Sequence, residues 1–148
     1  MPKFPNQEQM HQYLQSQGAQ YEITFRFPER LSNSHRALQA AEYARSQGIF
    51  KPFHDALFRA YFTEGLGIGQ WTVLLHIAQE VGLAGDPLMN AIEAGFGQVA
   101  LQEAQKLGKA FGVDSTPTFI IDRRYRVTGA QPYDLFRKAL GEIQSGSS

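Results

Sequence analysis

Side chains that could act as nucleophiles, bases or metal ligands are few in this sequence and widely spaced. Its 148 residues include no cysteine, so no thiolate, disulfide or thiolate-bound zinc can form within the chain. The 4 histidines lack the short paired spacing that is typical of metal ligands. The sequence therefore predicts no metal site, no cofactor and no catalytic residue.

His35 is the histidine that stands at the start of a predicted helix. It follows Asn33 and Ser34 at the predicted start of a helix, and an imidazole can exchange protons near neutral pH. No carboxylate or nucleophile is placed by the sequence to orient it, so a partly exposed histidine is the simpler interpretation. His54 and His76 lie on amphipathic segments near aromatic residues, which predicts packing at the edge of a core.

The dipeptide Thr116-Pro117 marks the entry to a predicted strand. It stands directly before the β-prone run Thr118–Ile121. Only about 5% of X-Pro bonds in folded proteins are cis. From the residues alone, an ordinary trans proline at the start of a strand is the simpler interpretation.

Composition narrows the possible partners. Hydrophobic residues make up 43% of the chain and aromatic residues 12%, which is enough for one buried core. The 14 basic residues balance the 14 acidic ones without blocks of like charge, so no nucleic-acid partner is predicted. Met1–Met10 is polar, and no apolar run approaches the roughly 20 residues that span a bilayer. We expect a soluble, cytoplasmic protein with no membrane partner.

The region before Gly112 shows mainly helical spacing of its apolar residues. After Asn6, a first helix is expected over Gln7–Gln17 and should stop at Gly18. Alternation of apolar and polar residues over Tyr21–Phe27 predicts a half-buried extended segment that ends at Pro28. The further helices are expected over Ser34–Gln47, from Pro52 to Phe62, from Trp71 to near Gly82, from Asp86 to about Gly95, and over Gln98–Phe111.

The sequence pattern changes at Gly112 from helical spacing to short β-prone runs. The short runs Thr118–Ile121 and Tyr125–Val127 predict a β-hairpin, and the apolar character of the first run predicts an interior strand. A last helix begins at Pro132, and its inward face is predicted to consist of Leu135, Phe136, Ala139, Leu140 and Ile143. The predicted class is mostly α with a small β-hairpin, ending in a frayed tail at 145–148.

Four segments together resemble a known family. They are Ser34-His35-Arg36-Ala37; Leu57 to Gly65 with Ile68-Gly69; Gly112-Val113-Asp114-Ser115-Thr116-Pro117-Thr118-Phe119; and Val127-Thr128-Gly129-Ala130-Gln131-Pro132. In this order they closely resemble the FrnE-like branch of the DsbA oxidoreductases, which have a thioredoxin fold. The resemblance extends from about Gln7 to Ile143.

The resemblance implies a fold whose first part is absent from this chain. In the family, a strand, a Cys-x-x-Cys helix and a second strand precede a helical insertion, a hairpin and a last helix. The chain resembles the insertion, over about 6–111, and the closing strand-strand-helix, over 112–144. It is expected to be a single incomplete DsbA-like domain: a truncated product, a fragment, or one piece of a split protein.

The resemblance also implies roles for particular residues. Thr116-Pro117 corresponds to the cis-proline loop, which in the family lies beside the active-site cysteines and offers its backbone to an extended substrate. These two residues are therefore the expected substrate-binding site, with a cis bond. His35 falls in a region near the cleft between the insertion and the thioredoxin core, where it could contact a peptide or a glutathione-like ligand.

Three classes of function stay open. The first is a DsbA-like, FrnE-type thiol-disulfide oxidoreductase homologue that is itself redox-inactive because it has no cysteine and lacks the catalytic half. The second is a fragment of a glutathione-dependent isomerase of the hydroxychromene-carboxylate type, whose active-site serine would also lie in the missing half. The third is a non-enzymatic interaction module.

An incomplete domain of this kind is expected to bind a partner. Without the preceding strands, the hairpin would expose unpaired backbone groups along one edge, together with apolar side chains. We expect self-association, or binding to a chain that supplies the missing thioredoxin half. The alternative is a monomer in which the N-terminal helix or Tyr21–Phe27 covers the gap.

Overall fold

A computed structural model of the chain describes residues 6–26 and 31–146. These residues form seven helices and one two-stranded antiparallel sheet, which confirms the predicted class. In chain order the elements are α1 (Gln7–Ala19), α2 (His35–Ser46), α3 (Phe50–Phe62), α4 (Trp71–Glu80), α5 (Gly85–Glu93), α6 (Gln98–Ala110), β1 (Thr118–Ile121), β2 (Tyr125–Thr128) and α7 (Tyr133–Gln144).

The chain divides into two compact units within α6. The helical unit comprises the described residues up to Ala104, and the C-terminal unit comprises those from Gln105 onward. The division precedes Gly112, where the sequence changes character. The single incomplete domain that the resemblance implies stays a prediction.

Four helices form the core of the helical unit. α2 packs against α3 and α5, and α4 packs against the same two helices. The small side chains of α2 allow this close approach, and its alanines at 37, 40, 41 and 44 are almost completely buried. The largest fully buried side chains are Phe53, Leu74, Ile77 and Leu88, and each contributes about 1.5–3 kcal/mol by leaving water.

One polar side chain is buried in this core. Gln39 of α2 is 3% exposed, and its Nε2 donates a 3.0 Å hydrogen bond to the carbonyl of Phe96, in the turn after α5. Gly97 follows at φ +81°, and a Cβ there would lie 3.3 Å from the Cα of Gln39. A glycine is needed at this position for both reasons, and the buried amide retains its hydrogen bond.

α1 and the segment after it differ from the prediction. Gly18 lies inside the helix and is buried. A Cβ at this position would lie 2.6 Å from the Ile23 carbonyl and 2.8 Å from the Phe25 ring. It permits close approach and does not stop the helix. Residues 23–26 form no strand, and Tyr21 and Ile23 are exposed, so a half-buried alternating segment was the wrong expectation. Phe27 and Pro28 lie outside the described residues.

A side chain satisfies the backbone of this irregular segment. Gln15 of α1 accepts a hydrogen bond from the Phe25 N–H at 2.7 Å and donates one to the Phe25 carbonyl at 3.0 Å. The Arg26 N–H donates to the carbonyl of Phe62, at the end of α3, at 2.7 Å. The segment is therefore held by α1 and α3 without belonging to a sheet.

The C-terminal unit contains the predicted hairpin and last helix, but no buried side chain among its described residues. β1 and β2 pair in antiparallel register, with Phe119 opposite Val127. Phe119 is 43% exposed, so the interior strand was wrongly predicted, and on α7 Leu135 and Leu140 remain 45% and 43% exposed. Helical spacing marks a face that can be buried, but it does not supply the surface that buries it.

Candidate functional site

The loop before β1 holds the two predicted substrate-binding residues. The Thr116–Pro117 bond is cis, as the resemblance implies. Thr116 is exposed and Pro117 half-buried. The loop is fixed on both sides, because the Thr118 hydroxyl donates to the Ser115 carbonyl at 2.6 Å and the Gly129 N–H donates to the Pro117 carbonyl at 2.8 Å.

The hairpin that carries this loop has described contacts on both of its faces. Phe119 meets Phe136 of α7 edge to face, with ring centroids 4.7 Å apart. On the opposite face, Arg126 donates a hydrogen bond to the Gly112 carbonyl at 3.0 Å, which ties β2 to the turn after α6. The hairpin is thus anchored by an aromatic contact from β1 and a charged side chain from β2.

The turn of the hairpin is formed by residues that rarely adopt its conformation. Asp122 and Arg123 have φ values of 52° and 54°, in the left-handed region. The Arg124 N–H closes the turn on the Ile121 carbonyl at 3.1 Å. A glycine at position 123 would adopt this backbone without cost.

His35 lies in the helical unit, so the structure does not place it in the same unit as Thr116 and Pro117. It is exposed at the first position of α2, and its backbone N–H donates to the Oδ1 of Asn33 at 2.9 Å. With Asn33, Arg36 and Gly69 it lines a hollow of about 340 Å³ that has no acidic residue in its wall. Arg36 donates to the Gly69 carbonyl at 3.4 Å and lies over the Trp71 ring.

Phe50, His54, Phe58 and Phe62 form an aromatic stripe along α3. Phe58 is 50% exposed, although aromatic residues at helical spacing usually lie in a core. His54 stacks on Phe58 with centroids 4.4 Å apart and lies near Phe50 at 5.2 Å, so its packing at a core edge is confirmed. His76 is exposed, so the same prediction is wrong for it. The spacing of four residues along the stripe is the signal that could have identified it.

Two apolar hollows lie against this stripe. One of about 290 Å³ is lined by Leu38, Phe58 and Ile68 among others, and one of about 400 Å³ by Ile23, Phe25 and Phe62 among others. Phe53 lies in the core instead. The aromatic residues of α3 therefore divide between a buried face and an open one.

Charged groups with shifted pKa values lie on α3, and none of them lines the hollow around His35. A hydrogen bond from Lys51 lowers the pKa of the fully exposed Asp55 carboxyl below its ordinary value. Hydrogen bonding to Glu80, with a smaller contribution from Glu64, raises the pKa of Arg59. The pair Lys51–Asp55 lies within α3 on its surface, whereas the pair Arg59–Glu80 joins α3 to α4.

Neither a metal cluster nor a membrane span emerges from the part of the chain that the structure describes. No group of three or more His, Asp or Glu side chains there could hold a metal ion. No described helix is both long enough and apolar enough to cross a bilayer.

Comparison with known proteins identifies the relatives of the chain. "Uncharacterized protein YwbO" of Bacillus subtilis (strain 168) is 29% identical over 109 residues, which cover 73% of this chain and 54% of YwbO. The crystal structure of the probable DsbA oxidoreductase SCO1869 from Streptomyces coelicolor superimposes with a TM-score of 0.83 at 22% identity. That match covers 97% of this chain and 63% of the Streptomyces protein, and it shows a shared fold.

The chain spans less than two thirds of the length of either relative. The family model described as "DSBA-like thioredoxin domain" matches residues 4–141, which is nearly the whole chain. The predicted resemblance to DsbA oxidoreductases is confirmed at the level of the family. The chain belongs to the family of DSBA-like thioredoxin domains.

Proposed function

We propose that the chain is a FrnE-type DsbA homologue that holds a peptide but performs no thiol chemistry of its own. The observation that carries this proposal is the absence of cysteine from a chain that matches the family over residues 4–141. Exchange needs a thiolate to attack a disulfide and a second sulfur to resolve the mixed disulfide. A methionine thioether has no proton to lose and cannot replace either one.

The proposed peptide site is the loop at Thr116 and Pro117. The loop ends at β1, so an extended peptide beside it could continue along the edge of the hairpin. The hollow around His35 is a separate candidate for a carboxylate-bearing, glutathione-like ligand, because Arg36 and His35 line it without an acidic neighbour. Its proximity to a catalytic cleft and the cytoplasmic location of the protein stay predictions.

The partner is the second part of the proposal. The relatives are longer than this chain, and the hairpin leaves apolar side chains exposed. A second copy, or a chain that supplies the remaining thioredoxin half, would cover them. The isomerase alternative would need a glutathione site, and the hollow around His35 is where a titration should look for it.

An insulin-reduction assay tests the redox part of the proposal. We expect purified chain to reduce insulin no faster than buffer with dithiothreitol alone. A full-length DsbA-type oxidoreductase serves as the positive control. Turnover above the blank by protein free of thiol contaminants would contradict the proposal.

A titration followed by two-dimensional NMR tests the ligand part. An extended peptide should shift the amide signals of Thr116 and Thr118, and reduced glutathione should shift those of His35 and Arg36. The variant Arg36→Gln should lose the glutathione shifts and retain the peptide shifts. No saturable shift at either place would remove the corresponding ligand from the proposal.

A further inference from the structure

The turn between α5 and α6 meets α2 through two of its residues, Phe96 and Gly97. The Phe96 carbonyl accepts the 3.0 Å hydrogen bond from the Nε2 of Gln39, and the Phe96 ring meets Tyr43 edge to face with centroids 5.5 Å apart. A Cβ at Gly97 would lie 3.3 Å from the Gln39 Cα and from the Glu42 Cβ. These contacts therefore come from about one turn of α2.

The side chain of Gln39 supplies a neutral donor at a buried position. Gln39 is 3% exposed, and it is the one buried polar side chain among residues 6–26 and 31–146. A glutamine NH₂ can donate, whereas the Phe96 carbonyl can only accept. If the donor is lost, the carbonyl is left without its partner at a place that water reaches poorly, which costs much more than the loss of a surface hydrogen bond.

The turn itself contributes nothing to the hydrophobic core. Among the described residues the core ends at Ile92 of α5, and Phe96 is 40% exposed. Val99, in the first turn of α6, is 67% exposed. Local opening requires the least free energy where few apolar side chains are buried. The turn can therefore separate from α2 without disrupting the packing of Phe53 and its neighbours.

We infer that Gln39 is a latch for this turn. Its neutral amide holds the turn closed on α2, and loss of that hydrogen bond opens the turn and the first residues of α6 while the core of the helical unit stays folded. Gln39 is thus a positioning residue that acts through the Phe96 carbonyl. The contacts of the latch lie within residues 39–97 of the helical unit, and they are independent of the proposed function.

A carboxyl in place of the amide should make the latch respond to pH. A protonated carboxyl has one O–H that can donate to the Phe96 carbonyl, whereas an ionised carboxylate can only accept. Burial raises the pKa of a carboxyl, so the neutral form persists in mild acid. The charged residues in the adjoining hollow are Glu42, Arg45 and Glu103, whose net negative charge also favours the neutral form. The stability that the latch contributes is therefore lost as pH rises through the raised pKa.

Two amides report the state of the turn. The Phe96 N–H donates to the Ala91 carbonyl at 2.9 Å, and the Leu101 N–H donates to the Gly97 carbonyl at 3.0 Å. The amide of Leu57, whose side chain is 5% exposed within α3, reports global unfolding. Hydrogen exchange that does not depend on urea indicates local opening, because little surface is exposed, and urea-dependent exchange indicates global unfolding.

Hydrogen exchange of the full-length variant Gln39→Glu, followed by NMR, tests the latch. Relative to the native chain, we expect the protection of Phe96 and Leu101 to fall at least about tenfold at about pH 7.5 and less than about threefold at about pH 5. At the higher pH these two amides should exchange independently of urea, while Leu57 stays at least about tenfold more protected. If they share the protection and the urea dependence of Leu57, the turn does not open separately and the inference is overturned.

Two further variants separate the donor from the volume that it fills. Gln39→Met retains the length of the side chain without a donor, so the protection of Phe96 and Leu101 should fall at both pH values. Gln79→Glu, at an exposed glutamine of α4, should change neither amide. A loss in Gln39→Glu that is equal at the two pH values, or no loss at all, would overturn the role of the neutral donor.

A pair of glycine variants tests the same contact with Gln39 left in place. Gly95 and Gly97 have similar φ values, 87° and 81°, so alanine is strained similarly at each. At Gly95 the nearest atom to a Cβ lies 3.6 Å away on the Gln98 side chain, whereas at Gly97 the Cβ presses on α2. We expect Gly97→Ala to lower the protection of Leu101 at least about tenfold more than Gly95→Ala does. Equal losses would mean that the turn is held by its own backbone, and they would overturn the latch.

Discussion

The helical unit and the C-terminal unit are built from equally regular elements, yet they bury very different amounts of their apolar surface. Every buried hydrophobic side chain among the described residues lies between Ala37 and Ile92. From Gln105 to Gly146 no described residue is buried, although α6 and α7 are both amphipathic. Regular elements alone therefore do not make a core.

The difference lies in the number of neighbours that each element has. In the helical unit, α3 is flanked by α2 and α4, so a single side chain such as Phe53 can be enclosed from several directions. Among the described residues of the C-terminal unit, a two-stranded sheet has one helix with a ring contact to it, between Phe119 and Phe136. Two strands and a helix cannot surround a side chain, and isolated hairpins are only marginally stable.

Truncation of one ring in each unit should give the largest difference. Phe53→Ala removes a fully buried ring and should lower the free energy of unfolding by about 3–5 kcal/mol. Phe136→Ala removes a half-buried ring and should cost less than about 1.5 kcal/mol. Urea unfolding followed by circular dichroism measures both, and equal losses would break the contrast between the units.

Glycine substitutions should distinguish the units by a smaller amount. Gly18→Ala places a Cβ 2.6 Å from the Ile23 carbonyl, and this overpacking should cost about 1–3 kcal/mol. Gly141→Ala, in α7, meets nothing within 4 Å and should add about 0.5–1 kcal/mol, because alanine favours the helix. Thermal unfolding of the two variants provides the test, and destabilisation by Gly141→Ala would reveal a hidden neighbour of α7.

A glycine substitution in the hairpin turn should raise the stability of the C-terminal unit by about 1 kcal/mol. Arg123 has φ 54°, which costs a non-glycine residue about 1–2 kcal/mol, so Arg123→Gly should stabilise the C-terminal unit. Arg124→Gly is the matched control, since Arg124 is not among the residues with positive φ. Hydrogen exchange of the β1 amides should slow in the first variant only. Equal slowing in both would attribute the effect to the loss of charge.

The smallest expected effect is on the pH dependence of stability, through an ion pair on the surface of the helical unit. The hydrogen bond from Lys51 lowers the pKa of Asp55 in the folded state. The carboxylate therefore contributes stability above its unfolded pKa, and that contribution is lost as pH falls through the lower, folded pKa. Asp55→Asn should remove this part of the acid dependence, and 1 M salt should mask it. If the native chain and Asp55→Asn still differ in acid dependence by the same amount at high salt, the assignment to this ion pair is contradicted.

The sequence predicted the elements well because their signals are local. All seven helices and the hairpin follow from apolar spacing, caps and turn residues. Asn6 caps α1 through a 2.9 Å bond from the Gln9 N–H, and Pro132 precedes α7. Such signals depend on neighbours a few residues away, so they are visible without the fold.

Signals that depend on distant neighbours were misjudged. The sequence predicts that Gly18 ends the helix. In the structure it lies inside the helix and leaves room for the Phe25 ring, a contact that only the fold reveals. The inward face of α7 was predicted from spacing, yet Leu135 and Leu140 are not buried by the part of the chain that the structure describes. At the candidate site, Thr116, Pro117 and His35 could be named from the resemblance alone. The hydrogen bonds of Gln131 and Asn33 that shape their surroundings could not.

The reciprocal bonds between Gln15 and Phe25 also bear on the order of folding. They close a chain separation of 10 residues, whereas the bond from Arg26 to Phe62 closes 36. Loop-closure entropy rises with the logarithm of length, so the longer closure costs about 1 kcal/mol more. The contact between α1 and Phe25 therefore has the smaller entropic barrier, and α1 can capture this segment before α3 is available to hold it.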